Sequence, residues 1–227
     1  MTQNVTTQPN STSPWPQDSL DDLAGVCDIL APLFLEDPVK GSIGEELDAL
    51  AVLDGGEAAA DWPFAANASE VESFLNQLAA GAASEDKARA ALAREYRRLF
   101  VGPAKLPAPP WGSVYTDKEG VIFGEGNLRL RAWLRDHGIS RLDDAHVPDD
   151  HIGNVLQLAA LLATEQPDTL DEFLSLHVLP WAPHYLALLE AAAEHPFYAS
   201  LAALTRATLE GARETRELSI EEPEFFR

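Results

Sequence analysis

Few residues in this 227-residue sequence combine the types and spacing that chemistry needs. The densest set is Asp149, Asp150 and His151, which closes a polar connector and opens a helical pattern. With Ser113 these side chains could supply a nucleophile, a base and an orienting carboxylate, but nothing in the sequence places them together. The structural role of an aspartate at 149 or 150 is to cap the next helix, where a carboxylate meets exposed amides and the positive end of the dipole. His177 and His184 lie across Pro180 and Pro183, a poor spacing for metal ligands, and no metal or cofactor is expected. The lone Cys27, among Val26, Ile29 and Leu30, reads as a buried small hydrophobe. GxGxxG, GxxxxGK[ST], HExxH and GxSxG are all absent, which removes the mechanical core of nucleotide-binding, zinc-protease and α/β-hydrolase readings.

The stretch 96–117 points to binding instead. A helical pattern carrying Tyr96, Leu99 and Phe100 stops at Gly102, and Pro103, Pro107, Pro109 and Pro110 then hold the chain extended up to Trp111 and Tyr115. Proline lacks a donor and restricts the residue before it, so this loop joins neither helix nor sheet. Its aromatics must close a core or form a preorganised groove for an apolar peptide.

The elements that position these residues are helical. Ala and Leu dominate, Val and Ile are few, and apolar residues recur at three and four, as in Leu20, Leu23, Val26, Cys27, Leu30 and Phe34. Helices are predicted over 19–38, 42–54, 71–80, 84–101, 128–137, 152–164, 169–179, 184–193 and from about 199 onward, with capping boxes at Ser42, Ser69 and Thr169 and a cap at Asn127. The expected fold is all-α, one helical bundle-like domain of about nine helices over 18–219 with a proline-rich mid-chain loop. Residues 1–17 read as a disordered tail without the basic and apolar regions of a secretory signal, and 220–227 as an acidic C-terminal tail. A formal charge of −21 argues against nucleic acid and permits a basic peptide. No stretch reaches the roughly 18 apolar residues that a membrane span requires, and the single cysteine suits a reducing cytosol. A long connector between helical halves leaves both a monomer and a domain-swapped dimer open.

Several runs together resemble the TorD/DmsD family, most strongly its DmsD branch. They are Arg-Leu-Phe-Val-Gly-Pro at 98–103, Leu-Pro-Ala-Pro-Pro-Trp-Gly-Ser-Val-Tyr at 106–115, Val-Ile-Phe-Gly at 121–124, Pro-Asp-Asp-His at 148–151, Leu-Pro-Trp at 179–181 and Glu-His-Pro-Phe-Tyr at 194–198. The resemblance implies an all-helical, non-catalytic cytoplasmic chaperone. Such a chaperone binds the twin-arginine signal peptide of a molybdoenzyme subunit and holds it until folding and cofactor insertion precede Tat export, with Tat translocase components as further partners. It carries peptide-binding roles onto Tyr96, Leu99, Phe100, Pro110, Trp111, Tyr115, Gly124, Pro148, Asp150 and His151. Two positions depart from the family pattern. Ala104 stands where relatives tend to have tryptophan, and Val147 where glutamate is common.

The implied role makes physical sense, because two guanidinium groups followed by an apolar segment call for a carboxylate at one end and an apolar groove beyond. Asp150 is the expected carboxylate. Leu99, Phe100, Trp111 and Tyr115 are the expected groove, and Asp150→Asn with His151→Ala is expected to weaken binding without loss of fold. The client is expected to be a dimethyl sulfoxide reductase type subunit. The rivals are a family chaperone for a trimethylamine oxide or nitrate reductase, a helical adaptor for a folded partner, and a small hydrolase or nucleotide-using enzyme around Asp150, His151 and Ser113.

Overall fold

A computed structural model of the chain describes residues 14–139, 148–221 and 223–227. Val147 and most of the polar connector at 139–150 lie outside the described residues. Among the described residues the fold is helical and carries no strand. Its α-helices are α1 (Gln17–Leu35), α2 (Gly44–Ala51), α3 (Gly55–Asp61), α4 (Ala68–Gly81), α5 (Asp86–Tyr96), α6 (Ser113–Thr116), α7 (Glu125–Asp136), α8 (Ile152–Glu165), α9 (Leu170–Phe173), α10 (Ala182–Ala192) and α11 (Pro196–Thr215).

The three-and-four spacing of α1 does what it predicts. Leu20, Leu23, Val26, Cys27, Leu30 and Phe34 are buried, with Ile29 outside, and this stripe lies along α8. Burial, then the charge of Asp28, pushes the Cys27 thiol up to about 12, so it is an inert core residue. The second layer is α11, which packs on α10 and α4 through Leu201, Leu204 and Leu209. One continuous core links the layers, as expected of a domain this size.

Among the described residues there are eleven α-helices where about nine are expected, and the differences are local. The Gly55-Gly56 pair opens α3 instead of ending α2, because Asp54 accepts from the Gly56 and Glu57 amides at 2.9 and 3.0 Å. Asn67, not Ser69, caps α4, accepting from Ser69 and Glu70. Ser42 caps nothing in α2, and Thr169 donates its hydroxyl to the Gln166 carbonyl at 2.8 Å. Asn127 lies inside α7, fully buried.

Both presumed tails contribute to the packed body where they are described. Trp15 is buried, donates its indole N–H to Asp171 Oδ1 at 2.7 Å, and has the Arg216 guanidinium 4.7 Å above its ring. Phe226 donates its amide to the Tyr115 carbonyl at 3.0 Å.

Candidate functional site

Two chain segments distant in sequence are stitched together at the proline loop. The Gly112 amide donates to the Asp150 carbonyl at 3.0 Å and the Ile152 amide to the Pro110 carbonyl at 2.8 Å, an antiparallel bridge between Trp111 and His151. The prolines explain why it is so short, since Pro109 and Pro110 have no amide to extend it. Beyond the bridge α6 starts, and the Ser113 amide at its first turn donates to Asp150 Oδ2 at 2.7 Å. Tyr115 is fully buried and donates its hydroxyl to the Pro109 carbonyl at 2.8 Å, fixing the loop from below. Gly112 is required by close approach, because a Cβ there would meet the Trp181 indole at 2.6 Å. At Gly124 a Cβ would collide with the Asp117 carboxylate, which accepts the Gly126 amide at 3.3 Å.

His151 is the cap of α8, its Nδ1 accepting from the Gly153 amide at 3.1 Å. Burial pushes its pKa down to about 3, so the ring is neutral. The cap was expected from Asp149 or Asp150. Instead the Asp149 amide donates to Asn127 Oδ1 at 2.9 Å and its carboxylate faces Arg131 at 3.5 Å, while Asp150 serves α6. Pro148 is buried too, and its carbonyl accepts from the Asn154 side chain at 3.0 Å.

Asp150 is 3% exposed, and burial raises its pKa against the pull of the Ser113 hydroxyl and amide. Its second oxygen, Oδ1, is buried and has no partner among the described residues. Asp150 lines a cavity of about 140 Å³ whose lining also includes Ser113, Arg129, His177, Trp181 and Pro223. Ser113 Oγ and His177 Nε2 are likewise buried without partners among the described residues. Burial, then the charges of Arg129 and His137, pushes His177 down to about 4, so its ring is neutral at pH 7. The cavity thus presents a carboxylate, a neutral imidazole and a hydroxyl as acceptors, with the Arg129 guanidinium at its lining ion-paired to Glu125 at 3.7 Å. Ser113, His151 and Asp150 form no hydrolytic relay here, because His151 Nδ1 is held by Gly153 and Asp150 meets the Ser113 amide.

Tyr96, Leu99 and Phe100 do not line this cavity. Tyr96 donates to the Leu35 carbonyl at 2.6 Å, and Phe100 packs edge-on against Phe34 and Tyr198 at 6.2 and 5.5 Å. All three are buried at the end of α5 and the π turn that follows it, Arg97–Val101. The loop displays Trp111, which is half-buried, but not Tyr115.

The family described as nitrate reductase delta subunit matches residues 64–187. A Salmonella typhi protein named Tat proofreading chaperone DmsD is 37% identical over 191 residues, 83% of this chain and 88% of that one. The chain belongs to the TorD/DmsD family. More distant relatives include chaperone protein YcdY of Escherichia coli, 25% identical over 82% of this chain and 91% of that one. Chaperone protein TorD of a Shewanella species is 26% identical over 69% of this chain and 76% of that one. Membership makes this chain one of the redox-enzyme maturation chaperones. No helix among the described residues is long and apolar enough to cross a membrane.

Of the residues that the family resemblance singles out, the fold unites Pro110, Trp111, Tyr115, Pro148, Asp150 and His151. Gly124 joins their border through Asp117 and Gly126, which lines the cavity. It holds Tyr96, Leu99 and Phe100 in the aromatic core. Sequence reasoning did not single out His177 or Trp181, and of the closing segment it offers only Phe226-Arg227 as a further point of family resemblance. Leu179-Pro180-Trp181 is a signal for the first pair, a family run whose tryptophan lines the cavity with Asp150.

Proposed function

We propose that this chaperone binds the twin-arginine signal peptide of a molybdopterin-dependent reductase subunit, of the dimethyl sulfoxide reductase type. It would do so in the cytoplasm and hold the signal until the enzyme has folded and received its cofactor. The observation that carries this reading is the Asp150 carboxylate, buried to 3% exposure with one oxygen spent on the Ser113 amide and the other unpartnered among the described residues. A buried carboxylate oxygen without a donor is costly unless a ligand supplies one. A guanidinium supplies several donors in a planar fork, and neutral His177 and the Ser113 hydroxyl can accept alongside Asp150 without adding positive charge. The name Tat proofreading chaperone, borne by relatives 37% identical, supports the same ligand class.

Trp111, half-exposed beside this cavity, is the aromatic placed to touch a bound peptide, with Pro110 and Pro148 holding its loop. Tyr96, Leu99 and Phe100 would act through the shape of the core beneath. The test is calorimetric titration with a reductase twin-arginine peptide, alongside the same peptide with both arginines changed to lysine. Tight binding of the first and clearly weaker binding of the second is expected, since ammonium groups lack the fork. No binding of either peptide rejects the reading.

A further inference from the structure

The segment 223–227 lies across the proline loop in an arrangement its composition does not require. Phe225 stacks on the His184 ring, with centroids 4.0 Å apart and planes 14° from parallel. Phe226 donates its amide to the Tyr115 carbonyl at 3.0 Å. Arg227 donates its guanidinium to the Leu106 and Pro107 carbonyls at 2.9 and 3.4 Å, and His184 Nε2 lies 2.9 Å from the Arg227 carbonyl. Pro223 lines the same cavity as Asp150.

These contacts use the loop in a specific way. The extended run keeps its carbonyls out of any helix; those of Pro109 and Pro110 accept from the Tyr115 hydroxyl and the Ile152 amide, which leaves Leu106 and Pro107 as acceptors for another donor. These two converge on one guanidinium, a cation that the strongly acidic chain favours. His184 in turn is held edge-on to buried Tyr115 at 5.7 Å, so its free face is a fixed platform for a ring. Phe225 and Phe226 stay 39% exposed each, so the segment lies on the body and is not part of its core.

We propose that Leu106, Pro107, Tyr115 and His184 form a docking groove for an aromatic-and-arginine segment, filled in the free chaperone by its own Phe225, Phe226 and Arg227. A client signal peptide, which joins arginine to apolar residues, must displace this segment to reach the loop and the cavity behind Pro223. The groove stands on the contacts above, whereas the competition rests on the signal-peptide reading. If the segment fills the groove nine-tenths of the time, the apparent affinity for a competitor falls about tenfold. A short tether supplies an effective concentration of about a millimolar, so the same segment added as a free peptide would bind with Kd on the order of 0.1 mM.

The experiment uses the full chain, a chain ending at residue 222, and a full-length chain with Phe225, Phe226 and Arg227 all changed to Ala. The peptide Pro-Glu-Phe-Phe-Arg is titrated into the isotope-labelled shortened chain and followed by NMR. Saturable shifts centred on Tyr115 and His184, weakened when the peptide's arginine becomes alanine, are expected. Absence of saturable shifts, with the Phe226 amide of the full chain exchanging as fast as an unfolded one, overturns the groove. In the second arm a twin-arginine signal peptide should bind both altered chains about tenfold more tightly than the full chain and displace the free pentapeptide. Equal or weaker binding to the altered chains overturns the competition. A signal peptide that binds none of the chains rejects the signal-peptide reading and the competition with it, while the pentapeptide titration still decides the groove.

Discussion

Asp150 accepts the Ser113 amide at 2.7 Å and thereby ties the start of α6 to the residue before the α8 cap. The same contact fixes which carboxylate oxygen is left without a partner among the described residues. One side chain therefore has a structural half and, on the proposed function, a binding half. Asp150→Asn separates them, because an amide oxygen can still accept from Ser113 while the charge is lost. The variant is expected to melt within a few degrees of the parent and to lose roughly tenfold or more in affinity for an arginine-bearing signal peptide, the scale of a charged hydrogen bond. Unchanged affinity in calorimetry would mean that Asp150 serves only the fold.

His151 requires a different expectation from the one its sequence neighbourhood suggests. Its ring is 6% exposed, caps α8 through Nδ1 and stands 5.9 Å from the Trp111 indole, so His151→Ala removes a cap and leaves a void. The loss should be about 1–3 kcal/mol, and His151→Asn, which can cap, should recover part of it. Denaturant unfolding measures both. The double change at Asp150 and His151 therefore reports on fold and binding together, and single variants are needed to separate them.

The sequence makes the helices legible wherever one apolar stripe meets one partner, as with Leu23, Leu30 and Phe34 of α1 against α8. It misplaces their ends because several oxygens compete for each exposed amide. At α4 both Asn67 and Ser69 are suitable caps, and only the backbone angles at Asn67 decide between them. The stitching of 110–112 to 150–152 is invisible in sequence because it pairs residues some forty positions apart without an alternating pattern. Family resemblance named the residues on both sides of that seam but could not reveal their exposure. Tyr115 and Trp111 look equivalent as written, yet one supports the loop from the core and the other meets solvent. His177 carries no local signal at all, since its place in the cavity depends on the corner formed by Pro180 and Trp181.

Buried His151 and half-buried His177 give acid sensitivity a definite sign. His151 and His177 have folded pKa values pushed down to about 3 and about 4 by burial, well below an unfolded histidine near 6.5. Between those limits the unfolded chain binds more protons, so stability is full above about pH 6.5 and is lost as pH falls toward 4. His177→Gln, neutral throughout, should flatten the fall in melting temperature between pH 6.5 and 4.5 relative to the parent. Parallel curves for the two proteins would show that His177 does not contribute.

Trp15 tests whether residues ahead of α1 belong to the body. Its ring is 8% exposed, lies edge-on to Phe64 at 6.2 Å and sits beneath the Arg216 guanidinium. Trp15→Ala should cost about 2–4 kcal/mol and lower Tm by roughly 4–16 °C for a chain of this size. A shift under a degree in calorimetry would return this residue to the tail.

Glu95 holds the opposite end of the bundle and adds a second loss of stability at low pH, in a more acid range than the histidines. It is 7% exposed, takes two hydrogen bonds from Arg98 at 2.7 and 2.8 Å, and accepts the Glu194 and His195 amides at 2.7 and 3.3 Å just ahead of α11. Burial pushes its pKa up, but Arg98 and these amides outweigh burial and hold it below the usual range. A carboxylate with a depressed folded pKa stabilises above its unfolded value, and that contribution disappears as pH falls through the folded one. Arg98 is one-third exposed, so solvent screens part of the pair. Glu95→Gln should cost about 1–3 kcal/mol at pH 7, and the gap to the parent should narrow steadily below about pH 4.5 as Glu95 itself protonates. Urea unfolding at pH 7 and pH 3.5 reads both numbers. A gap that stays constant across that range would assign the cost to lost packing, and not to the charge that ties α5 to the start of α11.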